Sequence, residues 1–308
     1  MKIEEVILIP VTERESLEYM LKIGAIDFYS IPDTSSDSHS YGSNEYFPIN
    51  RLTFLGVNRK NSSLLAYDDV LNPIKEALNK EQIVSYACGS TAQVTDVPFH
   101  PGYWKTESLS LPRPEPELEM ADGLPAEPVS DPFAELIGQF GYDRKDEDGY
   151  WIRTYRNLSY RLSFDLLVNT ENEARLQMAE LMREQLADFG VELNIVTKSY
   201  TEYLQAIAYR QYDFYIGETQ LSVNMDLSHL FTEENAAALG FSYDPVLYDM
   251  ALQLKRGMIG YEQFLEYFAE TGIMEPLCYR YGGISYSRNL TASFIEQYRS
   301  LLYQVQWY

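Results

Sequence analysis

The sequence predicts an α/β fold, and residues 162–217 carry the prediction. Leu162, Phe164, Leu166 and Val168 alternate at period 2, as a strand does. Ala174, Met178, Leu181, Met182, Leu186 and Phe189 then share one face of a helix, opened by a Thr170–Glu173 capping box and closed by Gly190. Val191, Leu193 and Ile195 form a second strand, residues 200–209 a second helix, and residues 213–217 a third strand. Short links and right-handed crossovers lay such strands parallel in one sheet covered by helices. Ligands of open α/β sheets sit beyond the carboxyl ends of the strands. Here those ends are Asn169-Thr170, Thr197-Lys198 and Gly217-Glu218-Thr219-Gln220.

The other elements follow in chain order. Residues 3–31 read as strand, helix, strand: an apolar run with Val6 and Leu8 ends at Pro10, a helix over 13–23 closes at Gly24, and a strand covers 25–29. Residues 32–45, rich in Ser, Asp and Gly, are expected as a polar loop. A strand is predicted over 52–58 and a short helix over 69–78, with Val70, Ile74, Ala77 and Leu78 inward. Residues 105–132 hold six prolines and many acids, too little apolar surface to offset ordering, and are expected as an extended surface loop. Asp131 as N-cap, Pro132 at the first helical position and Gly141 as stop bracket a helix carrying Phe133, Leu136, Ile137 and Phe140.

Composition narrows the function. The 308 residues suffice for two lobes. No apolar run is long enough to span a bilayer. A formal net charge of −22 argues against nucleic acid and anionic membrane surfaces as partners. Cys88 and Cys278 are far apart in sequence, and two buried free thiols are favoured over one disulfide. The 26 tyrosines are an unusual number; an apolar ring with a polar tip suits both cores and wet binding surfaces.

Catalytic and metal chemistry find no support. His39, His100 and His229 are too scattered for a ligand spacing, and no nucleophile elbow, P-loop or dinucleotide motif occurs. Asp143, Asp146, Asp148 and Gly149 resemble a calcium loop, but Arg144 and Tyr155 stand at its first and twelfth positions, so an acidic turn is expected. No cofactor is expected.

Several segments in order resemble the oligopeptide, dipeptide and nickel class of extracytoplasmic solute-binding proteins, family 5. They are Val6-Ile7-Leu8-Ile9-Pro10 with Gly24-Ala25-Ile26-Asp27; Phe54-Leu55-Gly56-Val57-Asn58 with Asp69-Val70 and Ala77-Leu78; and Pro98 to Trp104. Asp131-Pro132, Gly141-Tyr142 and Asp146-Glu147-Asp148-Gly149 continue the series, as do residues 162–217 and Glu275-Pro276-Leu277 with Tyr279. Asn72 and Lys75 depart from it, standing where arginines are usual. The resemblance implies a periplasmic-binding-protein-like (type II) fold of two lobes closing on a ligand, one lobe incomplete. Residues 1–52 and 273–308 would form part of the first lobe and 53–272 the second. It implies the C-terminal portion of a longer, extracytoplasmic lipoprotein that captures a peptide or small polar solute for an ABC permease. A ligand-sensing regulatory domain on the same fold is the competing class. An upstream DNA-binding or kinase segment would mark it.

In peptide-binding members the loop after the third strand often reads G-W-x-x-D, its Asp pairing with the peptide amino terminus. Here Leu221 stands at the Asp position, so Glu218 and Asp226 become the candidate carboxylates for an ammonium. Thr219 and Gln220 would add neutral hydrogen bonds, and Tyr281 a ring face beside the return strand. Asn169 and Thr170 are expected to cap the following helix.

Overall fold

The computed structural model describes residues 7–11, 15–31, 42–59, 64–106, 132–288, 290–292 and 305–307. Residues 7–11 have no regular structure, and Leu8 is exposed. The strand expected there is therefore absent at Leu8, since no described strand offers it a ladder; Val6 lies outside the described residues. Helix α1 (Glu15–Lys22) turns at Gly24 into strand β1 (Phe28–Ile31). Leu21 and Tyr29 pack there with Leu17, Ile26 and Tyr46 in a small core of their own.

Strand β2 (Ser43–Val57) begins well before the predicted 52. Residues 43–45 of the expected loop are thus strand, and 32–41 lie outside the described residues. Apolar alternation is weak over 43–50, and pairing with a long C-terminal strand supplies the order instead. Helix α2 (Asp68–Glu76) buries Val70, Leu71 and Ile74. It ends sooner than predicted because Asn79 starts a new helix, α3 (Lys80–Cys88), accepting from the Gln82 N–H at 2.9 Å. Strand β3 (Ala92–Val94) follows. Most of the proline-rich stretch, 107–131, lies outside the described residues, and so does the Asp131 cap.

Helix α4 (Pro132–Gln139) leads into an antiparallel meander of β4 (Tyr142–Lys145), β5 (Trp151–Tyr155) and β6 (Leu158–Arg161). Arg156 and Asn157, both at positive φ, make the two-residue hairpin turn. The acidic turn grips a cation of its own chain: Asp146, Asp148 and Glu192 all pair with Arg161.

The predicted unit follows as β7 (Ser163–Asn169), α5 (Glu173–Phe189), β8 (Glu192–Lys198), α6 (Tyr200–Ala208) and β9 (Phe214–Gln220). Both β8 and β9 pair parallel with β7, as the sequence predicts. One detail differs. Asn172, not Thr170, caps α5, accepting from the Arg175 N–H at 3.1 Å, so the Thr170–Glu173 box does not form. Thr170 turns instead to the Lys198 carbonyl. Residues 221–272, where the apolar pattern assigns no element, hold α7 (Glu233–Ala238), α8 (Pro245–Lys255) and α9 (Tyr261–Thr271).

Strand β10 (Met274–Tyr286) returns antiparallel to β2 along its length, giving the sheet order β1-β10-β2-β9-β7-β8, with β3 also on β10. A separate ladder joins β11 (Leu290–Ala292) and β12 (Val305–Trp307). Alternation along β9 sends Phe214 and Ile216 into one core and Tyr215 into another. The first core lies under α2 to α5 and the second under α6 to α9. On the first side, Glu275 of β10 pairs with Lys75 and Lys80, tying both helices to the sheet. Burial disfavours the Lys80 ammonium, but Glu275 and Asp96 outweigh it and hold its pKa above the usual lysine range.

Candidate functional site

The main sheet narrows at one place. Strand β9 ends at Gln220, opposite Arg51, and the Leu221 N–H closes on the Asn50 carbonyl at 2.6 Å. Beyond it, β2 and β10 run on together, flanked by β1. Two register shifts mark β10 here, between Pro276 and Cys278 and between Arg280 and Tyr281. A cluster of charged side chains sits at this junction.

Glu218 is its centre. One carboxylate oxygen meets Arg51 Nε at 3.2 Å and the other meets Arg175 Nη2 at 2.5 Å. Arg51 Nε also reaches Gln220 Oε1 at 3.4 Å. Arg175 stands in the first turn of α5, where the helix dipole opposes a cation, and Glu218 compensates it. Its Nη1 donates to Asn169 Oδ1 at 3.2 Å, while its Nε is buried with no acceptor among the described residues. Asn169 leads on to Glu171, whose carboxylate accepts from the Tyr200 N–H at 3.0 Å. That backbone bond, first among its partners, holds Glu171 below the usual carboxylate range. The network thus joins the carboxyl ends of β7 and β9 to the amino ends of α5 and α6.

The predicted residues fall into three groups. Glu218 and Gln220 share Arg51, and Tyr281 adjoins Arg280, which faces Arg51 across the ladder. Tyr281 donates its hydroxyl to Gln93 Oε1 at 3.2 Å. Thr219 and Leu221 point to the opposite face, Thr219 half-buried and Leu221 only 3% exposed in the second core. Asp226 makes none of the cluster's bonds. It pairs with Lys255 at the end of α8 and accepts from Ser228. Partial burial raises its pKa, but Lys255 and Ser228 outweigh that and leave it below the usual range.

Arg51, Arg175 and Arg280 were not expected from pattern. Arg175 carried a signal, since a cation in the first helical turn calls for a nearby anion. Arg51 carried none, because it falls just before the strand predicted from 52, in the part of β2 that pairing orders. Among the described residues no group of three or more His, Cys, Asp or Glu is placed to hold a metal. No described helix is long and apolar enough to cross a membrane.

A parallel α/β unit, covered on both faces and continued by two long antiparallel strands at a polar junction, is a periplasmic-binding-protein-like (type II) fold. Solved structures agree. The chain superposes on NikA from Brucella suis in complex with Fe(III)-EDTA with a TM-score of 0.70, at 13% identity, over 97% of this chain and 61% of that one. It matches the oligopeptide-binding protein AppA of Bacillus subtilis, in complex with a nonapeptide, at 0.66, 18% identity, and 96% against 58% coverage. DppA from Helicobacter pylori, in complex with peptide STSA, gives 0.66, 14% identity, and 96% against 56%. The chain therefore spans somewhat over half the length of these proteins. No curated protein matches its sequence. Residues 1–232 match the bacterial extracellular solute-binding proteins, family 5 (Middle), and the chain belongs to that family.

Proposed function

We propose that the chain is the ligand-capturing part of an extracytoplasmic, non-enzymatic receptor that delivers a peptide or small polar solute to an ABC permease. Family membership supports the class, and the observation that carries the site is the Arg51–Glu218–Arg175 cluster at the carboxyl ends of β7 and β9. That is where ligands of open α/β sheets bind. The lobe boundary drawn at 52 and 273 falls on β2 and near the start of β10, and these two strands are the crossovers between lobes. The small core around Leu21 and Tyr29, separate from the two large ones, belongs with the first lobe.

The roles within the site follow from who already holds whom. Both oxygens of Glu218 are engaged by guanidinium groups, so Glu218 orients Arg51 and Arg175 rather than meeting a bare ammonium. Arg51, its side chain 37% exposed against 17% for Glu218, is the member of this cluster that meets a carboxylate or carbonyl of the ligand. A peptide, and the EDTA of the Brucella suis complex, both bear carboxylates. Gln220 adds a neutral contact and Tyr281 a ring edge. Thr219, Leu221 and Asp226 support the loop.

A thermal-shift screen of short peptides and carboxylate chelates tests this. A ligand should raise Tm in proportion to the logarithm of its concentration. Arg51→Ala should weaken that ligand roughly 10- to 100-fold, the value of a hydrogen bond to a charged group. Complete indifference of the protein to such a screen contradicts the receptor reading. A ligand that Arg51→Ala leaves unaffected contradicts the site.

A further inference from the structure

Two thiols lie buried behind the junction, and nothing in ligand capture uses them. Cys88 is the last residue of α3, 1% exposed, directly before the exposed turn at Gly89 and Ser90. Cys278 sits on β10 between its two register shifts, opposite Thr53 of β2 and Val94 of β3, and is fully buried. Both belong to one core cluster, and both are free. The α3–β3 link is fixed against β10: Thr91 bonds the Cys88 carbonyl through its N–H and its hydroxyl, and the Tyr281 N–H bonds the Thr91 carbonyl. Arg280 is on the same face as Cys278, two residues on, and donates from Nη1 to Cys88 Sγ at 2.7 Å.

We propose that Cys88 and Cys278 are a redox-active dithiol that closes to an intramolecular disulfide by exchange with a disulfide oxidant. The neighbouring Cys278 thiol, and after it the Arg280 guanidinium at 2.7 Å, draw the Cys88 pKa down against burial and the Glu218 charge. The Cys278 pKa is pushed the other way, by its Cys88 neighbour and by burial. Cys88 is therefore the attacking sulfur, and it is reached by a local opening at the exposed Gly89–Ser90 turn that breaks the Thr91 bonds. In the first step Cys88 loses its proton to solvent and its thiolate attacks one sulfur of the oxidant. The oxidant's S–S bond breaks, one thiolate leaves and takes up a proton, and a mixed disulfide remains on Cys88. In the second step Cys278 loses its proton and attacks Cys88 Sγ, expelling the second thiol. Two cysteine thiols and one disulfide thus become one protein disulfide and two free thiols. The bond would fasten α3 to the strand that runs between the two lobes.

Oxidised glutathione is the probe. The native chain is incubated with it, quenched in acid, alkylated, and mapped without reduction. The expected product is a single Cys88–Cys278 link, with the mass lower by two hydrogens and neither cysteine alkylated. Cys278→Ser should trap glutathione on Cys88, while Cys88→Ser should trap it on Cys278 at least tenfold more slowly. Arg280→Gln should slow the first step, and if that variant does not fold, the comparison of the two serine variants stands alone. Two cysteines that remain alkylatable after incubation overturn the proposal. Links between chains do so too, as does equal trapping in the two serine variants.

Discussion

The ring of Tyr215 lies across two glycines, and this contact explains both. A Cβ on Gly56 would stand 2.0 Å from the ring, and one on Gly217 would meet Phe54 and Tyr215 at 2.5 and 2.6 Å. Both rings are buried, so neither can give way. Gly56→Ala should destabilise the fold by about 3 kcal/mol in urea unfolding. Part of the tyrosine abundance is likewise structural. Tyr203, Tyr212 and Tyr279 bury their rings and hand their hydroxyls to the carbonyls of Ile216, Gly240 and Pro98. Composition counts tyrosines but cannot say which carbonyl each one reaches. His100 supplies a pH-dependent prediction. Burial lowers its pKa, and its Nδ1 accepts from the Gly102 N–H at 3.0 Å, which requires the neutral ring. The unfolded chain takes up that proton below about pH 6.5 and the folded chain resists it. Stability should therefore fall as pH drops from that value towards the folded pKa, by at most about 1.4 kcal/mol per pH unit. His100→Gln should flatten this part of the curve, as read by unfolding midpoints across pH; an unchanged slope contradicts the assignment.

Elements with their own apolar period were legible, and elements ordered by pairing were not. Strands β7 and β9 and helix α5 announce themselves because one or both faces are buried over most of the segment. Strand β8 does so through the alternation of Val191, Leu193 and Ile195, although only Leu193 within the strand is fully buried. The first half of β2 does not, since its Ser, Asn and Glu residues are held by backbone bonds to β10, a partner more than two hundred residues away. Helix α8 was legible in principle, opening on Asp244 and Pro245 with the same cap-and-proline start as the helix after Asp131. The cap of α5 illustrates the limit of motif reading. Thr170 and Glu173 have the right spacing, yet Asn172 is nearer the first turn and Thr170 is drawn to the end of β8. Asn172→Ala should cost about 1 kcal/mol and Thr170→Ala less than about 0.5 kcal/mol in denaturant unfolding. The reverse order would restore the capping box.

At the scale of the whole molecule, two large cores share one mixed sheet, and β2 and β10 carry that sheet on to a further, smaller core. Glu218 and Gln220 were legible as site candidates because topology places them at the carboxyl end of a parallel strand. Of their arginine partners, Arg51 was not, because it arrives from an antiparallel strand, while Arg175 was signalled only as a cation in a first helical turn, without its partner. The receptor reading makes this junction the surface that meets solute. Hydrogen exchange on the chain with and without its bound ligand, found by the thermal screen, addresses that directly. Protection should concentrate on residues 49–53, 218–221 and 279–282, with the first turn of α5 beside them. Protection confined to the outer faces of α8 and α9, or to the β4–β6 meander, would place the solute elsewhere and contradict the account.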